Sequence, residues 1–352
     1  MFTIEKPTSA TVHSRDQGPF RASGLGLFIH NQFRTTIPLP TMETYPNIAD
    51  KVAIITGANS GMGLEACRQL VSLGLSRLIM AVRTFDKGTQ AAEDLRAAIP
   101  IGQATRIDVW QLDMDSYESV QAFARRCETE LTRLDLAILN AGTSHVQFST
   151  LPTTGHEPTI QTNHISTSLL AILLLPILRD RAPIKTPGRL VVVSSLTAHL
   201  NDFPLRDHRP LLRTFDASES WLGDRYAQSK LINQLFLARL ATLVDADKVT
   251  MTLVEPGLVR GTGLFRRVPW LLRIVLNLLG RPASQGAAAY LNAALGWGTE
   301  AHGAYLMNLE MAPYCHWYYD DADGTRYTDA IWKETLEELR FAGVEDIVAA
   351  MK

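Results

Sequence analysis

Val52-Ala53-Ile54-Ile55 is an unbroken apolar run of strand length. It leads directly into Thr56-Gly57-Ala58-Asn59-Ser60-Gly61-Met62-Gly63 and then into a helical pattern over Leu64 to Leu73, with Gly74 near its end. A strand, a glycine-rich turn and a helix in this order constrain the fold more than anything else in the chain. A strand with no polar face must be covered on both sides, as in a parallel sheet flanked by helices. The glycines let the backbone approach a phosphate, and the helix N-terminus favours its negative charge. A glycine-rich loop on its own can be an ordinary tight turn; the flanking strand and helix argue against that here.

The alternation continues downstream. Leu78 to Val82, Val109 to Leu112, Leu136 to Leu139, Leu190 to Val193 and Met251 to Val254 are further strand-length apolar runs, separated by helical patterns. Right-handed crossovers make this an α/β, doubly wound parallel sheet (a Rossmann fold), with ligands at the carboxyl ends of the strands. The domain is expected over 46–352, after an extension over 1–45 that shows no period and reads as partly disordered. With 352 residues, 46% of them hydrophobic, the chain can build a sizeable core. A net charge of −2 without a basic stripe argues against nucleic-acid binding. Cys67, Cys127 and Cys315 are widely spaced, which suits free thiols in a reducing, cytoplasmic compartment. Their spacing suggests no metal site.

The turn spacing, T-G-x-x-x-G-x-G, differs from the G-x-G-x-x-G of the larger dehydrogenases. Here the chain resembles the short-chain dehydrogenase/reductase family, in particular its retinol-dehydrogenase-like and WW-domain-oxidoreductase-like branch. The resemblance implies a nicotinamide dinucleotide held by Thr56, Gly57, Asn59, Ser60, Gly61, Met62 and Gly63. An acid at the end of the second strand would select NAD, and an Arg would accept the 2′-phosphate of NADP(H). The strand ends Met80-Ala81-Val82-Arg83 with no acid, so Arg83 points to NADP(H), unless it is only a solvated surface residue. Asp113 follows the third strand, where similar proteins place an acid against the adenine. Asp115 looks the better helix cap, which leaves Asp113 for the cofactor. Asn140-Ala141-Gly142 resembles the family's N-A-G motif bordering the cofactor.

Tyr226 and Lys230 stand four residues apart, on one face of a helix that continues through Leu231 to Leu243. An ordinary phenol is a poor proton donor at neutral pH, and a nearby ammonium together with the nicotinamide charge would lower its pKa. The resemblance implies that Lys230 also binds the nicotinamide ribose. It implies further that Ser195, or alternatively Ser194, holds the substrate oxygen, and that Asn163 completes a tetrad through a proton relay. His164 reads as packing or surface, with no partner cluster for a metal. Glu255-Pro256-Gly257-Leu258-Val259 resembles the family's nicotinamide loop through Pro256, Gly257 and Val259. Thr262 lies one residue later than the family pattern, and the backbone of Leu258 and Val259 is the expected contact. Arg281-Pro282-Ala283-Ser284-Gln285-Gly286-Ala287 and Trp332-Lys333-Glu334-Thr335-Leu336 extend the resemblance toward the C-terminus.

Two regions face the expected substrate. One is an enlarged loop between Ser195 and Tyr226, containing His199, Phe203, Phe215 and Trp221. The other is Leu264 to Gly280, dense in apolar residues, with a helix expected between Pro269 and Gly280 and a polar stripe of Arg273 and Asn277. Such a helix would be about 16 Å long, too short to cross a bilayer. It is a lid near 262–282 over a bulky lipophilic substrate (polyketide, terpenoid, steroid or retinoid), a packed or subunit-interface helix, or a peripheral membrane contact helped by Arg266, Arg267 and Arg273. Family resemblance also suggests a homodimer through the helices bearing Asn163 and Tyr226. The expected activity is hydride transfer between NADP(H) and a carbonyl or alcohol. The rivals are a catalytically silent NADP(H)-binding sensor or scaffold and an epimerase or dehydratase on the same fold.

Overall fold

The computed structural model describes residues 12–20, 24–33, 35–46, 48–99, 104–221, 223–263, 270–320 and 324–352. Its strands are β1 (Val52–Thr56), β2 (Arg77–Val82), β3 (Arg106–Gln111), β4 (Leu136–Leu139), β5 (Gly188–Val193), β6 (Val249–Glu255), β7 (Tyr305–Met307) and β8 (Glu310–Ala312). Among the described residues they form one sheet in the order β3-β2-β1-β4-β5-β6-β7-β8. All neighbours run parallel except β7 and β8. The strand order reverses between β1 and β4, and the crevice at their carboxyl ends is where such sheets bind ligands.

The helices are α1 (Gly24–Phe33), α2 (Gly61–Ser72), α3 (Phe85–Ala97), α4 (Tyr117–Glu130), α5 (Pro158–Ile160), α6 (Thr167–Arg181), α7 (Leu211–Thr214), α8 (Arg225–Ala241), α9 (Trp270–Leu279), α10 (Ala283–Leu295), α11 (Gly324–Glu338) and α12 (Val344–Ala349). Side chains alternate along β1, as a strand's period of two requires. Ala53 and Ile55 join a core with Ala66 and Leu70 of α2, Ala92 of α3 and Leu291 of α10. Val52 and Ile54 face the other way, into a core built with Phe123 of α4, Leu174 of α6 and Phe236 of α8.

Three features depart from the sequence reading. β3 begins at Arg106 instead of Val109, because its polar residues pair along the sheet edge: Arg77 Nε meets Asp108 Oδ2 at 2.7 Å. The hairpin β7–β8 was not expected from the sequence. The described part of the N-terminal extension is folded onto the domain. Ser14 exchanges hydrogen bonds with the Tyr305 backbone, and α1 buries Leu27, Asn31 and Gln32. The helices bearing Asn163 and Tyr226, expected at a dimer seam, are packed by elements of their own chain. α11 and α12 of the same chain cover them, with Trp332 stacked on Phe236 of α8 at 5.0 Å between ring centroids.

The helical run Pro158–Arg181 is 24 residues long and apolar enough to cross a bilayer, but 89% of its most apolar window is buried inside the protein, so it is the central core helix. α9 does form where a helix was expected, and it exposes Ile274, Val275, Leu278 and Leu279 instead of packing them. Arg266, Arg267 and Pro269 lie outside the described residues, as does the side chain of Arg273.

Candidate active site

The turn after β1 is shaped by glycines. Gly57 and Gly61 adopt φ of +66° and +56°, where a side chain would be strained. A Cβ on Gly63 would stand 2.4 Å from the Gly57 carbonyl oxygen and 2.6 Å from Asn140 Nδ2. Gly63 therefore lets α2 pack against the turn, and it does not line the groove. Thr56 is likewise a brace: its hydroxyl accepts from the Ala141 amide at 2.9 Å, while Asn140 Nδ2 donates to the Thr56 carbonyl at 2.9 Å. The N-A-G segment and the glycine turn are thus stitched together. Ser60 precedes α2 without capping it through its side chain, and the first turn carries no acid. The amides there are left to an anion.

One groove runs from this turn to the end of β5. Gly57, Asn59, Ser60, Gly61, Met62, Arg83, Asp113, Asn140, Ala141, Gly142, Tyr226 and Lys230 all line it. So do Lys87, Asp115, Thr262 and Tyr290, which the sequence reading did not assign to the cofactor. Tyr290 reaches in from α10, donating to Asn140 Oδ1 at 3.1 Å with Met62 Sδ at 3.4 Å. At the outer end Arg83 meets Asp115 Oδ2 at 3.2 Å. Asp115 is not the helix cap. Ser116 holds that place, accepting from the Ser119 amide, because Asp115 is engaged by Arg83 and by the Thr162 hydroxyl at 2.7 Å. Asp113 accepts from the Asp115 amide.

At the inner end, Tyr226 and Lys230 lie on α8. Lys230 Nζ donates to the Val193 carbonyl at 2.7 Å and lies 6.0 Å from the Tyr226 ring centroid. Burial pushes the Tyr226 phenol up to about 12, against a hydrogen bond with Ser195 that draws it down. Burial brings the Lys230 ammonium down to about 8. Within the protein itself burial is the largest influence on both groups. Ser195, not Ser194, is the serine bonded to the phenol. The Ser194 hydroxyl is buried and finds no hydrogen-bond partner among the described residues.

Asn163 sits in a π-helical turn, Gln161–Ser166, between α5 and α6. Such turns cluster at functional sites because the extra residue re-aims side chains. Its amide accepts from the Thr143 amide at 2.8 Å and donates to the Thr143 carbonyl and to Ser229 Oγ, each at 2.9 Å. It ties the loop after β4 to α8. His164 is buried against Thr335, and burial lowers it to about 3, so it packs as a neutral ring.

The loop after β6 departs from expectation. Pro256, Gly257 and Val259 do not line the groove, whereas Thr262 and Gly263 do. The Leu258 backbone is fully engaged: its amide donates to Gln32 Oε1, and its carbonyl accepts from Gln32 Nε2 and the Arg281 amide.

A family profile described as short chain dehydrogenase matches residues 51–204. The short chain dehydrogenase/reductase mfmJ of Annulohypoxylon moriforme is 46% identical over 330 residues, covering 92% of this chain and 94% of its own. The chain belongs to the short-chain dehydrogenase/reductase family. An uncharacterised protein from Mycobacterium paratuberculosis, solved by crystallography, superposes with a TM-score of 0.61 at 26% identity, over 86% of this chain and 98% of that one. The NADPH-bound carbonyl reductase from chicken fatty liver shares the fold, with a TM-score of 0.55 at 19% identity over 75% of this chain and 98% of its own.

The residues present fit the family's dinucleotide. The uncapped, acid-free start of α2 and the glycine cradle suit a pyrophosphate, and Asp113 stands on the groove wall beside Leu112 and Met114. As a short-chain dehydrogenase/reductase the protein is an oxidoreductase. Lys87 and Tyr290 had no sequence signal of their own: each sits in the interior of a helical pattern, and only the fold turns it to the groove.

Proposed function

We propose that this oxidoreductase uses NADP(H) to interconvert a carbonyl and an alcohol on a lipophilic small molecule. One observation carries the reading. A single groove has two cationic side chains, Arg83 just after β2 and Lys87 on α3, where an NAD enzyme would present a carboxylate, and the partly buried Tyr226 with the buried Lys230 at its other end. The NADPH held by the chicken carbonyl reductase supports the same choice. When bound, the nicotinamide supplies or accepts the hydride.

The chain's own residues handle the oxygen and the proton. Tyr226 Oη, bonded to Ser195, gives its proton to the substrate oxygen in reduction, and the Ser195 hydroxyl stabilises charge developing there. Lys230, held by the Val193 carbonyl, lies close enough to favour the phenolate once the proton has left. Asn163 keeps α8 in place against the loop after β4. Apolar side chains on α9 stand close by, since Asn277 accepts from the Gly261 amide at 3.2 Å. This placement supports a lid over a lipophilic substrate.

The test is absorbance of the reduced nicotinamide, with NADPH and NADH in parallel, against apolar ketones, aldehydes and alcohols. Turnover with NADPH well above that with NADH is expected. Equal or greater turnover with NADH would refute the cofactor reading, and tight binding with no turnover on any carbonyl would favour the silent sensor.

A further inference from the structure

The N-terminal helix α1 lies outside the segment that matches the family profile, yet it ends inside the wall of the site. Asn31 and Gln32, its two buried polar residues, are 1% and 7% exposed. Asn31 Nδ2 donates to Glu255 Oε2 at 2.8 Å. Gln32 clamps the Leu258 backbone from both sides and also donates to the Leu279 carbonyl at the end of α9, each contact at 2.9 Å. Arg281 Nη2 donates to the Asn31 carbonyl, while the Arg281 amide donates to the Leu258 carbonyl at 2.8 Å.

Glu255 is the centre of these contacts. It is the last residue of β6 and is 2% exposed. One carboxylate oxygen takes Asn31, the other takes the Gly257 amide at 2.8 Å, and the Leu196 amide, next to Ser195, bonds it as well. Its charge faces the buried Arg281 guanidinium, whose Nε and Nη1 find no hydrogen-bond partner among the described residues. That guanidinium lies so close to Gly257 that a Cβ there would stand 2.7 Å from it. One buried carboxylate thus joins the N-terminal helix, the loop after β6 and the segment carrying Ser195.

We propose that Glu255 is a positioning residue, and that α1, acting through Asn31 and Gln32, latches the loop 256–263 and the Ser195 segment into register for catalysis. This rests on the reading of the site as that of a carbonyl reductase. An uncompensated buried charge or donor is costly, so the latch is held by pairing. Breaking one partner should loosen the loop, and exchanging the partners should restore it.

Asn31→Asp places a second carboxylate against Glu255. Asn31→Asp with Glu255→Gln puts one carboxylate and one amide back in contact, with their positions exchanged. Hydrogen–deuterium exchange on the full chain reads the latch without any substrate. In Asn31→Asp the Gly257 and Leu258 amides should exchange faster by about tenfold or more, while those of 57–63 stay as in the wild type. In parallel kcat should fall by about tenfold or more, the equivalent of one lost charge-assisted bond, with NADPH affinity, read by its fluorescence, changed far less. The double variant should recover both. Unchanged exchange at 257–258 in Asn31→Asp, or a double variant no better than the single, would overturn the proposal. A wild type with no carbonyl turnover would refute the functional reading and still leave the exchange result to decide the latch.

Discussion

Lys230 Nζ donates to the backbone carbonyl of Val193 over 2.7 Å, two residues before Ser195 on the same stretch of chain. The tether fixes a buried ammonium beside Tyr226, and burial brings it down to about 8. A lysine is charged below its pKa and loses the proton as pH rises through it. Ketone reduction should therefore fall as pH rises through about 8, while Tyr226, raised to about 12, still holds its proton. Lys230→Met should lower turnover by about 100-fold and abolish that inflection. A pH–rate profile of the variant that keeps the wild-type inflection would contradict the assignment.

Arg83 should set cofactor preference. Arg83→Ala removes the guanidinium at the groove's outer end, and the loss of a charge-assisted bond to a 2′-phosphate is worth about 1.5–3 kcal/mol. KM for NADPH should rise by about tenfold or more with NADH kinetics little changed. Adding Lys87→Ala should widen the effect. Unaltered NADPH-to-NADH preference in the double variant would show that neither cation reads the phosphate.

A different pH effect belongs to stability. His156 is fully buried, with Nδ1 2.8 Å from Asp216 Oδ2 and Nε2 3.1 Å from Glu338 Oε1. Burial alone would lower its pKa, but the two carboxylates outweigh it and raise it to about 9. Because the folded value lies above the unfolded 6.5, the imidazolium stabilises fully below that pH, and the gain is lost as pH rises through about 9. The shift corresponds to about 3 kcal/mol. Melting temperature should fall between pH 6.5 and 9, and the fall should be much smaller in His156→Gln. Parallel curves for the two proteins would rule the pair out as its source.

Gly63 is needed for space. A Cβ there meets backbone at 2.4 Å, so Gly63→Ala must push α2 off the glycine turn. Overpacking of this kind costs about 1–3 kcal/mol. Thermal unfolding should shift down accordingly, and cofactor affinity should fall with it. Wild-type affinity in Gly63→Ala would mean the turn tolerates displacement.

Features written in local periodicity were readable before the structure. The apolar strands, the glycine turn and the four-residue spacing of Tyr226 and Lys230 each depend on neighbours in sequence. What stayed hidden depends on distant residues. Asn31 lies 224 positions before Glu255, in a segment without a clear period. Tyr290 looks like any helical core residue until α10 is laid beside the turn. Ser116 took the cap from Asp115 because Arg83 and Thr162, far off in sequence, claim the carboxylate. β7 and β8 are three residues each, joined through Asn308 and Leu309 at φ of +53° and +69°, and the Asn-Leu turn lacks the glycine that usually marks such a hairpin. The packing of α11 and α12 on α8 and α6 likewise joins segments far apart in the chain.

Tyr226→Phe tests the central claim most directly, since it removes one hydroxyl from a partly buried ring and leaves the groove's other groups in place. With a ketone that the wild type reduces, the account predicts NADPH oxidation slowed by about a thousandfold or more, with NADPH still bound at wild-type affinity by fluorescence titration. Turnover within a few-fold of the wild type would contradict it and take from Tyr226 the role of proton donor.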